Sequence, residues 1–146
     1  MKWLIACIGK PRLPYARLGI EDYLARARRF AEIEVLPLKG GSQAEEGRTL
    51  LERTEGCHRI VLDERGERLG SAEFSAFIDK LEQSSTRRVA VLVGGADGHS
   101  AEVRARADRV LSLSPLTLQH ELALLVLLEQ IYRGYSILRG TPYHRE

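Results

Sequence analysis

Short runs of apolar residues alternate along the chain with longer polar stretches in which apolar residues recur at helical spacing. This alternation is typical of an α/β domain with a parallel sheet and helical connections. The runs after the second are almost wholly apolar, as expected for strands that helices cover on both faces. The pattern predicts five strands, over residues 2–8, 33–38, 59–62, 88–93 and 109–113.

Helix-like stretches separate these runs. Pro37 cannot donate a hydrogen bond to a ladder, so the second strand is predicted to lie at an edge of the sheet or to end there. The segment 39–47, KGGSQAEEG, is the best loop candidate. The pattern predicts helices over residues 15–30, about 44–55, 71–83, 100–107 and about 119–138.

The last predicted helix contains the sequence ELALLVLLEQIY, which is apolar almost all round. Such a helix must pack in a core or against another subunit, because water would otherwise surround its apolar side chains. A homodimer is one way to cover it.

Composition narrows the class of protein. A length of 146 residues fits a single domain spanning 1–146, and 44% hydrophobic with 29% charged residues is typical of a globular chain. The formal net charge of +2 is too small to indicate a nucleic-acid binder by itself. Arginine outnumbers lysine 18 to 4, which fits phosphate recognition or a GC-rich genome, and we favour the genome.

Neither cysteine indicates a metal site or a disulfide. Cys7 and Cys57 lie in or beside apolar runs without a CxxC spacing, so we expect free thiols in a reducing compartment and no bound metal. The chain shows no signal-peptide pattern at its start, and its longest apolar run, residues 122–128, is too short to span a bilayer. We expect a cytoplasmic protein without membrane contact.

Three segments follow predicted strands, where ligands of open α/β sheets bind. They are LDERG over residues 62–66, with Leu62 at the exit of the strand, GGADGHS over residues 94–100 and LSPLTLQH over residues 113–120. The glycine segment matches neither GxGxxG nor a P-loop, so a tight turn and a ligand loop remain equally open. The third segment is unusually apolar and must be buried against something, for which a flat ring such as adenine is one candidate.

Other chemistry finds less support. Asp63 could cap its turn, bind a ribose or simply be solvated. GxSxG and HExxH motifs and a recognisable Cys–His spacing are absent, and His58, His99, His120 and His144 are scattered. The residues alone indicate a small α/β domain that binds a nucleotide-like ligand.

The segments LVGGADGHS, LSLSPLTLQHELALLVLLEQIYRGYSI and PYHRE, with IACIGK and RIVLDERG before them, resemble the RlmH (YbeA-type) proteins of the SPOUT methyltransferase superfamily. The resemblance covers essentially the whole chain and is looser over residues 39–55. It implies an α/β-knot fold whose C-terminal part forms a deep trefoil knot. It also implies a homodimer that uses S-adenosylmethionine to methylate N3 of a pseudouridine in a 23S ribosomal RNA stem-loop on the assembled ribosome.

The resemblance also implies roles for particular residues. His144 would accept a proton or position the base, Tyr143 would stack on the base, and Arg145 would contact the substrate, with Pro142 setting the direction of this terminal segment. Tyr132 and Tyr135 are expected only to pack. Arg133 and Arg139 would contact RNA. The cofactor contacts would be Leu62, Gly94, Leu113, Ser114, Pro115, Leu116, Thr117 and Leu118.

Two positions depart from the family pattern. Gln119 stands where the family usually has proline, which should loosen the start of the last helix. Leu124 stands where it usually has arginine, whose loss would remove a dimer or RNA contact. Two alternatives stay open: a SPOUT methyltransferase acting on another RNA such as tRNA, and a non-catalytic knotted protein that binds the ribosome.

Overall fold

Five parallel strands lie side by side in the order β2-β1-β4-β3-β5. The computed structural model describes residues 1–144. The strands are β1 (Lys2–Ile8), β2 (Glu32–Leu38), β3 (His58–Arg68), β4 (Arg88–Val93) and β5 (Arg109–Ser112). The helices are α1 (Pro14–Ala27), α2 (Gln43–Arg53), α3 (Ser71–Gln83), α4 (Ala101–Ala105) and α5 (His120–Arg139).

Helices cover both faces of this sheet. Along β4, Val89, Val91 and Val93 pack in a core with residues of α1, α3 and α5. The alternate residues of β4, Ala90 and Leu92, pack with residues of α2 and α4 on the other face. Because successive strand side chains point to opposite faces, an apolar strand can serve two cores. The predicted α/β architecture with helices on both faces is confirmed.

The second strand lies at an edge, as the proline predicts. Strand β2 pairs with β1 alone, and Pro37 stands opposite Cys7. An edge position leaves one side of the strand without a ladder, so a residue without an N–H is tolerated there.

The predicted loop over residues 39–47 is wrong in its second half, because α2 already begins at Gln43. The Ser42 hydroxyl accepts a hydrogen bond from the Glu45 amide at 3.1 Å, and the Glu45 carboxylate accepts one from the Ser42 amide at 3.0 Å. This capping box satisfies two amides at the helix start. The hydrogen bonds from Ser42 also lower the pKa of Glu45.

Strand β3 is longer than predicted and contains an irregularity. Leu62 and Glu67 both stand opposite Leu111 of β5, so residues 63–66 loop out of the ladder before pairing resumes. A β-carbon at Gly66 would lie 2.8 Å from backbone atoms of Val110 and Leu111. Only glycine allows the two chains to approach this closely. The excursion places residues 63–66 at the carboxyl edge of the sheet.

Helix α5 begins more firmly than the departure at Gln119 suggests. The Gln119 side-chain oxygen accepts hydrogen bonds from the amides of Glu121 at 2.8 Å and Leu122 at 3.1 Å. The expected loosening of this helix start is therefore wrong, because the glutamine acts as an N-cap. Leu124 is buried in the core between α5 and the sheet, so its side chain extends the hydrophobic core.

We expect Tyr135→Phe to destabilise the protein by about 1–2 kcal/mol, because it leaves the buried Trp3 indole N–H without an acceptor. The Tyr135 hydroxyl accepts from the Trp3 indole nitrogen at 2.9 Å and donates to Glu82 at 2.5 Å. Chemical denaturation of the parent protein and of the variant measures the change. Equal stability of the two proteins would contradict this role.

Candidate functional site

The excursion within β3 and the loops that follow β4 and β5 line one cleft of about 690 Å³. These segments are far apart in sequence, and the parallel sheet brings them to one edge. Pro115 lies outside the lining, although it was predicted as a cofactor contact. The other predicted contacts line the cleft, namely Leu62, Gly94, Leu113, Ser114, Leu116, Thr117 and Leu118.

Asp63 organises the first of these loops. Its carboxylate accepts hydrogen bonds from the Arg65 amide at 2.9 Å and the Arg65 side chain at 3.0 and 3.1 Å, and it lies 3.8 Å from Arg104. The Asp63 side chain is only 7% exposed. The bonds from Arg65 lower the pKa of Asp63, so the carboxylate stays ionised. Of the three roles considered for Asp63, the structure shows the capping of its own turn.

The first and third loops contact each other at the cleft. The Thr117 hydroxyl donates a hydrogen bond to the Glu64 carboxylate, and both residues line the cleft. This contact is exposed to solvent. It joins two of the three segments that the sequence predicts to contact the cofactor.

The glycine segment forms a tight turn that side chains from two helices hold. The Gly98 amide donates to the Gly95 carbonyl at 3.0 Å. Gln43 of α2 donates to the Asp97 carbonyl at 2.8 Å, and Arg104 of α4 donates to the His99 carbonyl at 2.7 Å. These three hydrogen bonds fix the shape of the turn.

The third loop is more exposed than expected. Pro115 and Thr117 are exposed, and Leu116 is 72% exposed, so the prediction that this apolar loop is buried is wrong for the chain alone. Leu116 nevertheless lines the cleft. A smaller cavity of about 210 Å³ adjoins Leu62 and Leu113 and is lined mainly by apolar side chains.

The C-terminal segment folds back along α5. Gly140 adopts a left-handed conformation with a φ of 67°, and the Thr141 amide donates to the Ser136 carbonyl at 3.0 Å. Glycine is favoured there because a β-carbon strains this conformation. The turn reverses the chain and lays Pro142 and Tyr143 beside the helix.

Tyr143 is docked between α1 and α5. Its hydroxyl lies 2.9 Å from the Tyr23 hydroxyl and 2.9 Å from the Glu129 carboxylate, and its ring packs edge-on against Tyr132 at a centroid distance of 4.6 Å. Burial and the hydrogen bonds to Tyr23 and Glu129 raise the pKa of Tyr143. The phenol is therefore a neutral hydrogen-bonding group near pH 7.

The other predicted substrate residues lie around Tyr143. Arg133 binds the Glu129 carboxylate at 2.6 and 3.0 Å and lies over the Tyr143 ring at 4.9 Å, and the bond to Glu129 raises the pKa of Arg133. Arg139 is exposed. His144 follows Tyr143, and its Nδ1 atom is buried without a hydrogen-bond partner among residues 1–144. Arg145 lies outside the described residues.

The cleft and the terminal segment are separate within one chain. Residues 141–144 do not line the cleft, which α5 reaches only through His120 and Ala123. Glu129, which holds Tyr143, lies six residues beyond Ala123, or about 9 Å along the helix axis at the usual rise. A single chain therefore does not unite the two parts of the predicted site.

Sequence reasoning missed several residues of the cleft. Gln43 and Arg104 support the glycine turn from helices distant in sequence, and no motif marks them. His99 and His120 looked scattered in sequence but both line the cleft.

A reactive thiol at Cys7, a metal site and a membrane-spanning helix are each considered over residues 1–144. Burial raises the pKa of Cys7 to about 11, so its thiol is not a ready nucleophile. Residues 1–144 contain no group of three or more side chains suited to bind a metal ion. Over the same residues, no helix is long and apolar enough to cross a membrane.

Three sequence relatives match the chain nearly end to end. Proteins named "Ribosomal RNA large subunit methyltransferase H" are 48% identical in Thermus thermophilus and 40% identical in Syntrophotalea carbinolica, each over 99% of both chains. The protein of that name from Deinococcus deserti is 37% identical over 99% of this chain and 100% of its own. A family model described as "Predicted SPOUT methyltransferase" matches residues 1–144.

Solved structures of low sequence identity share the fold. A probable methylase family protein from Haemophilus influenzae superposes with a TM-score of 0.60 at 11% identity over 94% of this chain, which spans 66% of that protein. TrmJ from Z. mobilis gives a TM-score of 0.53 at 16% identity over 92% of this chain and 70% of its own.

Proposed function

We propose that this chain, which belongs to the SPOUT methyltransferase family, methylates large-subunit ribosomal RNA with S-adenosylmethionine as the methyl donor. The relatives named for that activity match over the full length of the chain. The observation that carries this proposal is that Leu62, Gly94 and the residues of the 113–118 loop other than Pro115 line one cleft. The specific target that we propose is N3 of a pseudouridine in a 23S stem-loop on the assembled ribosome, in the cytoplasm.

The cleft suits this cofactor in size and chemistry. A volume of about 690 Å³ lies within the usual range for small-molecule sites. Leu113, Leu116 and Leu118 would provide apolar walls for the adenine ring, and a bound ring would cover the exposed Leu116. The glycine turn would offer backbone groups to the polar half of the molecule.

S-adenosylmethionine would supply a methyl group that is already activated on a sulfonium. The protein then has to hold the acceptor nitrogen in line and help it to lose a proton. We assign the proton to His144 because histidine is the side chain of the terminal segment suited to that transfer at neutral pH. Tyr143 would stack on or orient the base, while Arg133, Arg139 and Arg145 would bind RNA.

A homodimer would unite the cleft of one chain with the terminal segment of its partner. Within one chain the two lie apart along α5, so a site that uses both needs a second copy. Leu18 and Tyr15 support an interface on α1, since they are apolar or aromatic side chains 58% and 53% exposed. Docking of Tyr143 on Tyr23 and Glu129 would give the terminal segment a fixed direction.

The deep trefoil knot is part of this proposal. Because knots are rare in proteins, general rules of chain connection would not suggest one. The proposal of a knot therefore rests on the resemblance to the family.

Methyl transfer from labelled S-adenosylmethionine tests the function. We expect label to enter ribosomes that lack the modification, with little transfer to free tRNA. Preferential labelling of tRNA would support the alternative SPOUT activity on another RNA. Cofactor binding in calorimetry without transfer to any RNA would support the non-catalytic ribosome-binding alternative.

A further inference from the structure

His99 is a buried histidine on the wall of the cleft. It is only 5% exposed, and it follows directly on the glycine turn. Its ring Nε2 lies 3.0 Å from the Leu92 carbonyl on β4, seven residues back. A carbonyl can only accept, so Nε2 carries the proton in this contact. Burial also lowers the pKa of His99, which favours the neutral ring.

This tautomer leaves the second ring nitrogen as an acceptor. A neutral imidazole with a proton on Nε2 has a lone pair on Nδ1. Nδ1 of His99 is buried and has no hydrogen-bond partner among residues 1–144. Unsatisfied buried acceptors are rare in folded proteins, because such an atom loses its bond to water without a replacement. A donor should therefore come from outside the chain.

The surroundings of His99 indicate where that donor comes from. The ring lies against Gly94, whose β-carbon would be 3.3 Å from Nε2, and both residues line the cleft. Neighbouring side chains already have partners: Asp63 accepts from Arg65, and Arg104 donates to the His99 carbonyl. His99 itself lines the cleft, so a molecule bound in the cleft is a donor that can approach its ring.

We infer that His99 is a ligand-recognition residue whose Nδ1 accepts a hydrogen bond from a hydroxyl or amino group of the nucleoside cofactor in the cleft. This inference rests on the proposed function. The Nε2–H group donates to the Leu92 carbonyl and fixes the ring, and Nδ1 accepts the hydrogen bond from the ligand. In S-adenosylmethionine the donors are the ribose hydroxyls, the adenine amino group and the amino group of the methionine half.

Two variants separate these two contacts. His99→Gln retains a side-chain N–H that can donate to the Leu92 carbonyl, but its acceptor is an amide oxygen bonded to the same carbon as that donor and is displaced from the position of the ring Nδ1. His99→Leu lacks both. His58→Gln is the matched control, because His58 lies at the start of β3 and does not line the cleft. We expect His99→Gln to bind S-adenosylhomocysteine about five- to tenfold more weakly, as for one lost hydrogen bond, with thermal stability close to that of the parent.

Nitrogen NMR of the full-length protein reads the contact directly. A long-range proton–nitrogen spectrum resolves the two ring nitrogens, and the signals absent from His99→Gln identify His99. We expect an unprotonated Nδ1 whose signal moves upfield when S-adenosylhomocysteine binds. Methylthioadenosine has the adenine and the ribose but no amino-acid half, so movement with it assigns the donor to the nucleoside part. Movement with S-adenosylhomocysteine alone assigns the amino group of the amino-acid half.

Calorimetry on the same samples separates this inference from the proposed function. If S-adenosylhomocysteine binds while the Nδ1 signal stays in place, His99 does not read the ligand and the inference is wrong. Equal affinities of the parent and His99→Gln would overturn it as well. If S-adenosylhomocysteine does not bind to the parent protein, the proposed cofactor itself is wrong.

Discussion

Removal of residues 143–146 is expected to abolish methyl transfer, by a factor of about 1,000 or more, while cofactor binding and folding remain. The deletion takes away Tyr143 and His144, which we assign to the substrate base, and neither of these two residues lines the cleft. Loss of the contacts of Tyr143 with Tyr23 and Glu129 should reduce stability by only about 1 kcal/mol. Labelled-methyl transfer and calorimetry with S-adenosylmethionine measure the two effects.

The control for this deletion replaces the same four residues by alanine, which keeps the chain length and removes the side chains. We expect the same loss of transfer in both variants. Transfer at the parental rate by either variant would show that the terminal segment takes no part in catalysis. Loss of cofactor binding in both would show that the segment helps to hold the cofactor and would contradict its assignment to the substrate base alone.

Gly94→Val is expected to weaken S-adenosylmethionine binding by about 100-fold or more and to lower transfer in proportion. A β-carbon at Gly94 would lie 3.1 Å from the backbone of Gly98 and 3.3 Å from Nε2 of His99. The larger valine must push the glycine turn out of place and break the contact of His99 with Leu92. Overpacking of this kind destabilises by about 1–3 kcal/mol, so the domain should still fold.

Gly40→Val serves as the matched control for this variant. A β-carbon there would meet its nearest atoms, on Glu46 and Ile8, at 3.5 and 3.6 Å, which is ordinary contact. Gly40 does not line the cleft. Calorimetry should show parental affinity for Gly40→Val. Parental affinity in Gly94→Val would contradict the position of the cofactor beside the glycine turn.

Mixing the two inactive variants tests whether the site is shared between subunits. A dimer of one Gly94→Val chain and one chain without residues 143–146 contains one intact cleft and one intact terminal segment, on different chains. We expect subunit exchange to restore transfer, up to half of the parental activity per mixed dimer. No recovery, with exchange verified by mass spectrometry, would mean that cleft and terminal segment act in the same chain.

The sequence was sufficient for the layers of the fold, because apolar runs such as that of β4 mark strands covered on both faces. It was insufficient where local signals compete. Two glycines before Ser42 obscured the capping box that begins α2. The polar second half of β3 gave no strand pattern, because its pairing with β5 follows an excursion of four residues.

The position of the candidate site could be predicted from the predicted ends of the strands, because parallel strands bring their carboxyl ends together. The supporting contacts were not predictable. Arg104 reaches His99 from α4, and the tautomer of His99 depends on a carbonyl of β4. The docking of Tyr143 beside Glu129, away from the cleft, depends on the reversal at Gly140.

Mapping of the transferred methyl group tests the central claim most directly. Ribosomes that lack the modification are incubated with the protein and labelled S-adenosylmethionine, and the large-subunit RNA is digested and analysed by mass spectrometry. We expect the label at N3 of a single pseudouridine in a 23S stem-loop. Label in another RNA, at another atom, or in no RNA despite cofactor binding would contradict the proposed function.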